Sequence, residues 1–121
     1  MTSAYRAGAD LERALVARAQ GDGVLAWRCA GSKGQGATDV LVVSQWTGVV
    51  ALNVKRGGWA PPGERSAMVR LTRHGVLPVL VYATVRRGLP TVWRFLECEG
   101  LELNVRQATE TPPWTKDWLA R

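Results

Sequence analysis

The sequence has few of the residues on which several common kinds of site depend. It contains one histidine and two cysteines among 121 residues. The single histidine argues against a His-based catalytic triad and against most His-ligated metals. Cys29 and Cys98 cannot cross-link a whole domain and do not have a zinc-binding spacing, so we expect a reducing, cytoplasmic setting.

Long apolar runs are also absent. No stretch of about 18 apolar residues occurs, so we expect no membrane span. Charged residues interrupt the N-terminus early and no apolar region follows them, so we expect no secretory signal either. The apolar fraction of 46% is nevertheless enough to build an ordinary core. The composition therefore predicts one globular domain spanning residues 1–121.

Acidic residues are scarce in the middle of the chain. Sixteen Lys and Arg stand against ten Asp and Glu, a formal net charge of +6. Residues 24–95 carry ten bases and only two acids, a net +8, whereas residues 1–23 are neutral and residues 96–121 carry −2. This segregation suits a polyanionic partner, because Lys and Arg release counterions condensed on phosphates. A solvated basic surface without a partner explains the composition equally well.

The hydrophobic pattern predicts a small α/β domain. Helical spacing predicts helices over Ala7–Gln20 and Glu64–His74. Apolar and β-branched runs predict five strands: Val24–Cys29, Thr38–Val43, Val49–Lys55, Leu77–Thr84 and Thr91–Cys98. The order of helix, three strands, helix and two strands is typical of a small mixed central β-sheet flanked by helices. For the tail after residue 98 the pattern predicts no particular structure.

Polar residues cluster at one end of the predicted hairpin between the second and third strands. Strand alternation puts Asn53 and Lys55 on one face, and Asp39 shares a face with Val43. With the connection near residues 45–47, we expect Val43 opposite Ala51, which brings Asp39 opposite Lys55. Polar side chains at the end of apolar strands need a reason, because burying them unpaired is costly.

Two interpretations of this cluster remain open from the spacing alone. One is a cross-strand ion pair between Asp39 and Lys55, with a stabilising effect under about 1 kcal/mol. The other is a metal-dependent nuclease site. In such a site a carboxylate binds Mg²⁺, and a nearby lysine stabilises charge or positions the attacking water.

Six segments follow one another in a recognisable order: Tyr5–Arg13, Arg28–Ser32, Asp39–Leu41, Val54–Lys55, Leu77–Leu80 and Trp93–Leu96. Together they resemble archaeal-type Holliday junction resolvases over residues 5–97. The resemblance implies a restriction-endonuclease-like fold of the PD-(D/E)xK nuclease superfamily. It also implies a homodimeric endonuclease, dependent on Mg²⁺ or on Mn²⁺ as a substitute, that resolves four-way DNA junctions by paired cuts.

The resemblance also implies which residues form the site. Glu12 and Asp39 match the metal-binding carboxylates, Asn53 occupies the third ligand position, and Lys55 matches the catalytic lysine. DNA contacts are expected at six positions: Arg6, Arg13, Arg28, Ser32, Lys33 and Arg56.

One position departs from the family pattern. The third strand normally reads Glu-x-Lys, whereas this chain reads Asn53-Val54-Lys55. An amide oxygen can ligate Mg²⁺ but lacks the charge that helps to hold it. Asn53 then acts as a weaker ligand, another carboxylate such as Glu64 substitutes, or the chain binds junctions and cuts poorly. A related nuclease acting on nicks, flaps or mismatches is a further alternative.

Two of the six tryptophans, Trp27 and Trp93, fall within predicted strands. We expect such residues in the core or on a dimer surface rather than as platforms for base stacking. One chain offers one site, and two symmetric cuts require two sites. An active enzyme is therefore expected to be a symmetric homodimer.

Overall fold

Helices and strands follow one another in the order that the hydrophobic pattern predicts. The computed structural model describes residues 3–29, 38–55, 62–100, 102 and 104–121, with side chains described from residue 8 onward. The elements are α1 (Ser3–Gly21), β1 (Leu25–Arg28), β2 (Val40–Ser44), β3 (Gly48–Lys55), α2 (Pro62–Leu71), β4 (Leu77–Thr84), β5 (Val92–Glu97) and α3 (Lys116–Ala120). Short 3-10 turns follow α2 at Thr72–His74 and precede α3 at Val105–Gln107.

The described residues form a five-stranded mixed sheet in the order β1-β2-β3-β4-β5. Strands β3 and β4 run parallel, and the other neighbouring pairs are antiparallel. A parallel pair requires a crossover connection, and α2 lies within the one between β3 and β4. The prediction of a small α/β domain with a mixed sheet and flanking helices is therefore confirmed.

The connection between β2 and β3 is shorter than the one implied by the predicted register. The turn occupies residues 45–47, and Ser44 pairs directly with Gly48. Gly48 adopts a φ of 72°, a left-handed conformation that glycine reaches without steric cost. Val43 consequently pairs with Val49, and the predicted pairing of Val43 with Ala51 is wrong by two residues.

Helix α1 covers one face of the sheet. Its apolar residues Leu11, Leu15 and Ala19 recur at a spacing of four, which aligns them in one stripe. All three are buried against alternating residues of the central strands. The helix extends beyond the predicted Ala7–Gln20 by four residues at its start and one at its end. Of the helices in the described residues, none is long and apolar enough to cross a membrane.

The C-terminal tail completes the core on the α1 face. Trp114 is 1% exposed, and its indole Nε1 donates a hydrogen bond to Asp22 Oδ2 at 2.8 Å. Its carbonyl oxygen accepts one from Ser44 Oγ at 2.7 Å. The indole ring also meets Phe95 edge-to-face at 5.5 Å, and Trp118 is buried in the same cluster. Residues well beyond the last predicted strand thus belong to the domain.

The opposite face is covered by α2 on the β4 and β5 side. There a second cluster buries Met68, Leu80, Tyr82, Leu96 and Cys98. On the β1 side, Leu25 is 67% exposed and Trp27 is 45% exposed. Trp93 instead lies buried in the α1-side core. The two strand tryptophans therefore have different surroundings, one in the core and one on the surface.

Candidate functional site

Asp39, Asn53 and Lys55 lie at one end of the β2–β3 hairpin. The ladder between β2 and β3 ends at the pair Val40 and Leu52, one residue after Asp39. The backbone N–H of Asp39 donates to the Leu52 carbonyl at 2.8 Å. Asp39 therefore lies beside Leu52, and the prediction that it stands opposite Lys55 is wrong. The Asp39 carboxylate reaches the backbone of Val54, between Asn53 and Lys55, so the three residues remain neighbours at this end of the hairpin.

The Asp39 carboxylate is held in place by the backbone of β3. Its Oδ2 accepts a hydrogen bond from the Val54 N–H at 2.8 Å. Burial raises the pKa of Asp39 above its ordinary value, the Val54 hydrogen bond opposes the rise, and the Glu12 carboxylate adds to it. The negative charge is therefore unfavourable in this position, and a nearby cation would stabilise it.

Asn53 is the most deeply buried polar residue of the cluster. It is 2% exposed, and its Oδ1 has no hydrogen-bond partner among the residues that the structure describes. Leaving a buried acceptor unsatisfied costs about 1–3 kcal/mol. An oxygen in this situation fits a ligand that is not part of the polypeptide. This observation supports the interpretation of Asn53 as a metal ligand.

Glu12 reaches the cluster from α1. Its Oε1 accepts from Arg28 Nε at 3.0 Å, and both side chains are largely buried. Glu12 also lies close enough to Asp39 and Cys29 to raise the pKa of both groups, although burial is the larger cause for each. The two family-implied carboxylates, Glu12 and Asp39, therefore share one electrostatic environment.

Lys55 reaches the cluster from the last position of β3. Its Nζ donates to Oε2 of Glu64, which lies in the first turn of α2. The Lys55 side chain is 17% exposed and that of Glu64 is 39% exposed. The Lys55 cation lowers the pKa of Asp39 and the Glu64 carboxylate raises it, although neither is the largest cause. Glu64 thus belongs to the cluster.

The cluster combines three carboxylates with two bases. Arg28 neutralises Glu12 and Lys55 neutralises Glu64, so the unbalanced charge is that of Asp39. In the part of the chain that the structure describes, no three His, Cys, Asp or Glu side chains are arranged to hold a metal ion. A metal would be held by a mixed set of carboxylate and amide oxygens, which are ligands that Mg²⁺ accepts.

The structure describes the side chains of two of the six predicted DNA-binding residues, Arg13 and Arg28. Arg28 lies in the cluster, paired with Glu12. Arg13 instead forms an exposed ion pair with Asp10 at 3.3 Å. The Arg6 side chain and the residues Ser32, Lys33 and Arg56 lie outside what the structure describes.

One further polar residue adjoins the cluster. Tyr82 of β4 pairs in register with Lys55. Its hydroxyl is buried without a hydrogen-bond partner in the described part of the chain, and burial raises its pKa. No sequence signal distinguishes Tyr82 from an ordinary strand tyrosine. Its position depends on the parallel pairing of β3 with β4, which requires the folded chain.

Comparison with protein-family models finds no match for this chain, and comparison with curated proteins finds none either.

Proposed function

We propose that this chain is a structure-selective, Mg²⁺-dependent DNA endonuclease that resolves four-way junctions. The observation that carries the proposal is that Glu12 of α1, Asn53 and Lys55 of β3, and Asp39 just before β2 lie together at one end of the sheet. A sheet with this order of helices and strands supports a restriction-endonuclease-like fold. The net +8 of residues 24–95 supports a polyanionic substrate.

Each residue of the cluster has a distinct chemical part in this proposal. Asp39, Asn53 and Glu12 would hold the divalent ion, which when bound stabilises the charge that develops on the phosphate and acidifies a water. Lys55 provides a positive charge in a partly buried position, where electrostatic interactions are stronger than in bulk water. Its ammonium stabilises the phosphate charge and orients the attacking water.

The proposal is tested by a panel of labelled DNA substrates incubated with the wild type in Mg²⁺. The panel contains a four-way junction, a linear duplex of the same sequence, and nicked, flapped and mismatched duplexes. We expect paired cuts in the junction and little cutting of the linear duplex. Preferential cutting of nicks, flaps or mismatches would identify a related nuclease instead. Equal or absent cutting of junction and duplex would reject the proposal.

A junction-binding protein with a weakened site is the second candidate. The neutral Asn53 favours it, as do the two ion pairs that engage the carboxylates of Glu12 and Glu64. Such a protein would bind four-way junctions with structure selectivity and would cut them poorly or not at all.

The variant Asn53→Glu separates the two candidates. If the site has decayed, the wild type is nearly inactive and the variant gains at least about a hundredfold in junction cleavage, because a charged ligand is restored. The endonuclease proposal expects an active wild type and no large gain, since its site already works without a carboxylate at position 53. Single-turnover cleavage rates of the two proteins decide the question.

An apolar surface beside the site supports the homodimer that paired cuts require. Leu25 and Trp27 lie on the edge strand β1, on the sheet face away from α1. In register, Leu25 pairs with Val43 and Trp27 with Leu41, and both partners are half-buried. Exposed apolar patches of this kind often mark protein interfaces. We propose that these four residues form the dimer surface.

The variant Trp27→Glu is expected to convert a dimer into a monomer, because it puts a charge in the middle of the apolar surface. Light scattering coupled to size exclusion should report about twice the chain mass of 13.2 kDa for the wild type and the chain mass for the variant. Leu119→Glu is a matched control, since Leu119 is an exposed leucine on α3. A monomeric wild type, or a variant that remains dimeric, would contradict the proposed surface.

A further inference from the structure

Position 53 lacks the acidic residue that the resemblance implies, and a carboxylate from another element reaches the same cluster. We propose that Glu64, in the first turn of α2, supplies the missing carboxylate and binds the divalent ion together with Asp39 and Asn53. This inference rests on the proposed metal-dependent function and adds a ligand to its site.

The position of Glu64 is the first observation. Its Oε2 contacts the Nζ of Lys55, which lies two residues after Asn53 on the same face of β3. Glu64 also lies within electrostatic range of Asp39. A carboxylate from α2 thus lies next to the lysine, which shares a face of β3 with residue 53.

The buried amide of Asn53 is the second, independent observation. Its Oδ1 is without a hydrogen-bond partner in the described ranges, although 98% of the residue is buried. Such an acceptor is satisfied by a ligand from outside the chain, and a divalent cation bound by hard oxygen atoms is a suitable one. The amide brings no charge and Arg28 neutralises Glu12, so a further carboxylate would give the site a larger negative charge.

Accessibility distinguishes Glu64 from Glu12. The Glu64 side chain is 39% exposed, whereas Glu12 is more deeply buried and paired with the planar guanidinium of Arg28. The Glu64 side chain is at the surface, so it has room to turn from Lys55 towards an ion, whose charge would take the place of that of Lys55 as its partner. Of the two carboxylates beside Asp39, Glu64 is the one free to rearrange.

The experiment measures Mn²⁺ binding, which does not depend on cleavage. Free Mn²⁺ is followed by electron paramagnetic resonance, with Mg²⁺ as a competitor, for the wild type, Glu64→Gln and Lys55→Met. Glu64→Gln should weaken Mn²⁺ binding by at least about tenfold, because it removes a charged ligand. Lys55→Met breaks the same ion pair but retains the carboxylate, so it should bind Mn²⁺ at least as tightly as the wild type.

A matched control comes from the other face of the sheet. Glu97 shares the face of Phe95 and pairs with Arg121 at 3.3 Å, so Glu97→Gln also removes an ion-paired carboxylate. It should leave Mn²⁺ binding unchanged. The double variant Asn53→Glu/Glu64→Gln should recover most of the lost affinity, since it returns a carboxylate to the same site. This rescue would also show that a weakened Glu64→Gln protein is folded.

Two results would overturn the inference. One is an equal Mn²⁺ affinity for Glu64→Gln and the wild type, including the case in which neither binds. The other is an equal loss in Glu64→Gln and Lys55→Met, which would show that the ion pair matters only for structure. Failure of the proposed function gives a different result. If the wild type binds Mn²⁺ through Glu64 but cuts no DNA, this inference holds and the endonuclease proposal is rejected.

Discussion

Asp39→Asn is expected to reduce junction cleavage by roughly a thousandfold or more, because it removes the unbalanced negative charge at the proposed metal site. Binding of the junction should remain close to that of the wild type, since phosphate contacts by basic residues dominate DNA affinity. Single-turnover cleavage and gel-shift binding measure the two effects separately. Asp10→Asn, on the exposed side of α1, is the matched control and should cleave normally.

The same substitution should not damage the fold. Asparagine retains an oxygen that can accept from the Val54 N–H, and it removes a partly buried charge. Loss of cleavage in a protein at least as stable as the wild type is typical of a functional residue. A variant that cleaves the junction at the wild-type rate would contradict the assignment of Asp39.

The raised pKa of Asp39 makes this stability difference depend on pH. Because the pKa is higher in the folded than in the unfolded chain, ionisation of Asp39 destabilises the fold. The cost is absent below the ordinary value of 3.8 and is complete once the pH exceeds the raised value. In urea unfolding, the free energy of unfolding of Asp39→Asn should therefore increase relative to that of the wild type as the pH rises from acid towards neutrality.

Trp114→Ala should lower the free energy of unfolding by about 3–5 kcal/mol, the usual cost of removing a fully buried large aromatic. Trp114 is 1% exposed, so the substitution leaves a cavity in the core, and it removes the edge-to-face contact with Phe95. It also leaves Asp22 without its indole donor. Urea unfolding at neutral pH measures the loss.

Trp46→Ala is the control for this measurement, because Trp46 is an exposed tryptophan at the β2–β3 turn. Its loss should cost less than about 1 kcal/mol, as for most surface substitutions. A cost for Trp114→Ala as small as that of Trp46→Ala would show that the tail is not part of the folded core.

Regular periodicity explains which parts of the fold could be predicted. The strand Leu77–Thr84 is observed with the predicted bounds, because a β-branched run followed by a turn has few alternative structures. The stripe of Leu11, Leu15 and Ala19 likewise fixes the buried face of α1. The tail could not be predicted, because its burial depends on Trp114 and Trp118 finding a surface that exists only after α1 packs on the sheet.

The candidate site was predictable in composition but not in its contacts. Alternation along β3 places Asn53 and Lys55 on one face, and the sequence puts Asp39 at the same end of the hairpin. The position of Asp39 beside Leu52, rather than opposite Lys55, depends on the short turn at residues 45–47. The contact of Lys55 with Glu64 depends on the packing of α2, which no local pattern specifies.

The central claim is that the cluster around Asp39 hydrolyses DNA at a four-way junction in a metal-dependent reaction. It is tested most directly by single-turnover cleavage of an end-labelled junction with the wild type in Mg²⁺ and again in excess EDTA. We expect two symmetric cuts near the branch point in Mg²⁺ and none in EDTA. Absence of cutting in Mg²⁺, or cutting that persists in EDTA, would contradict the account.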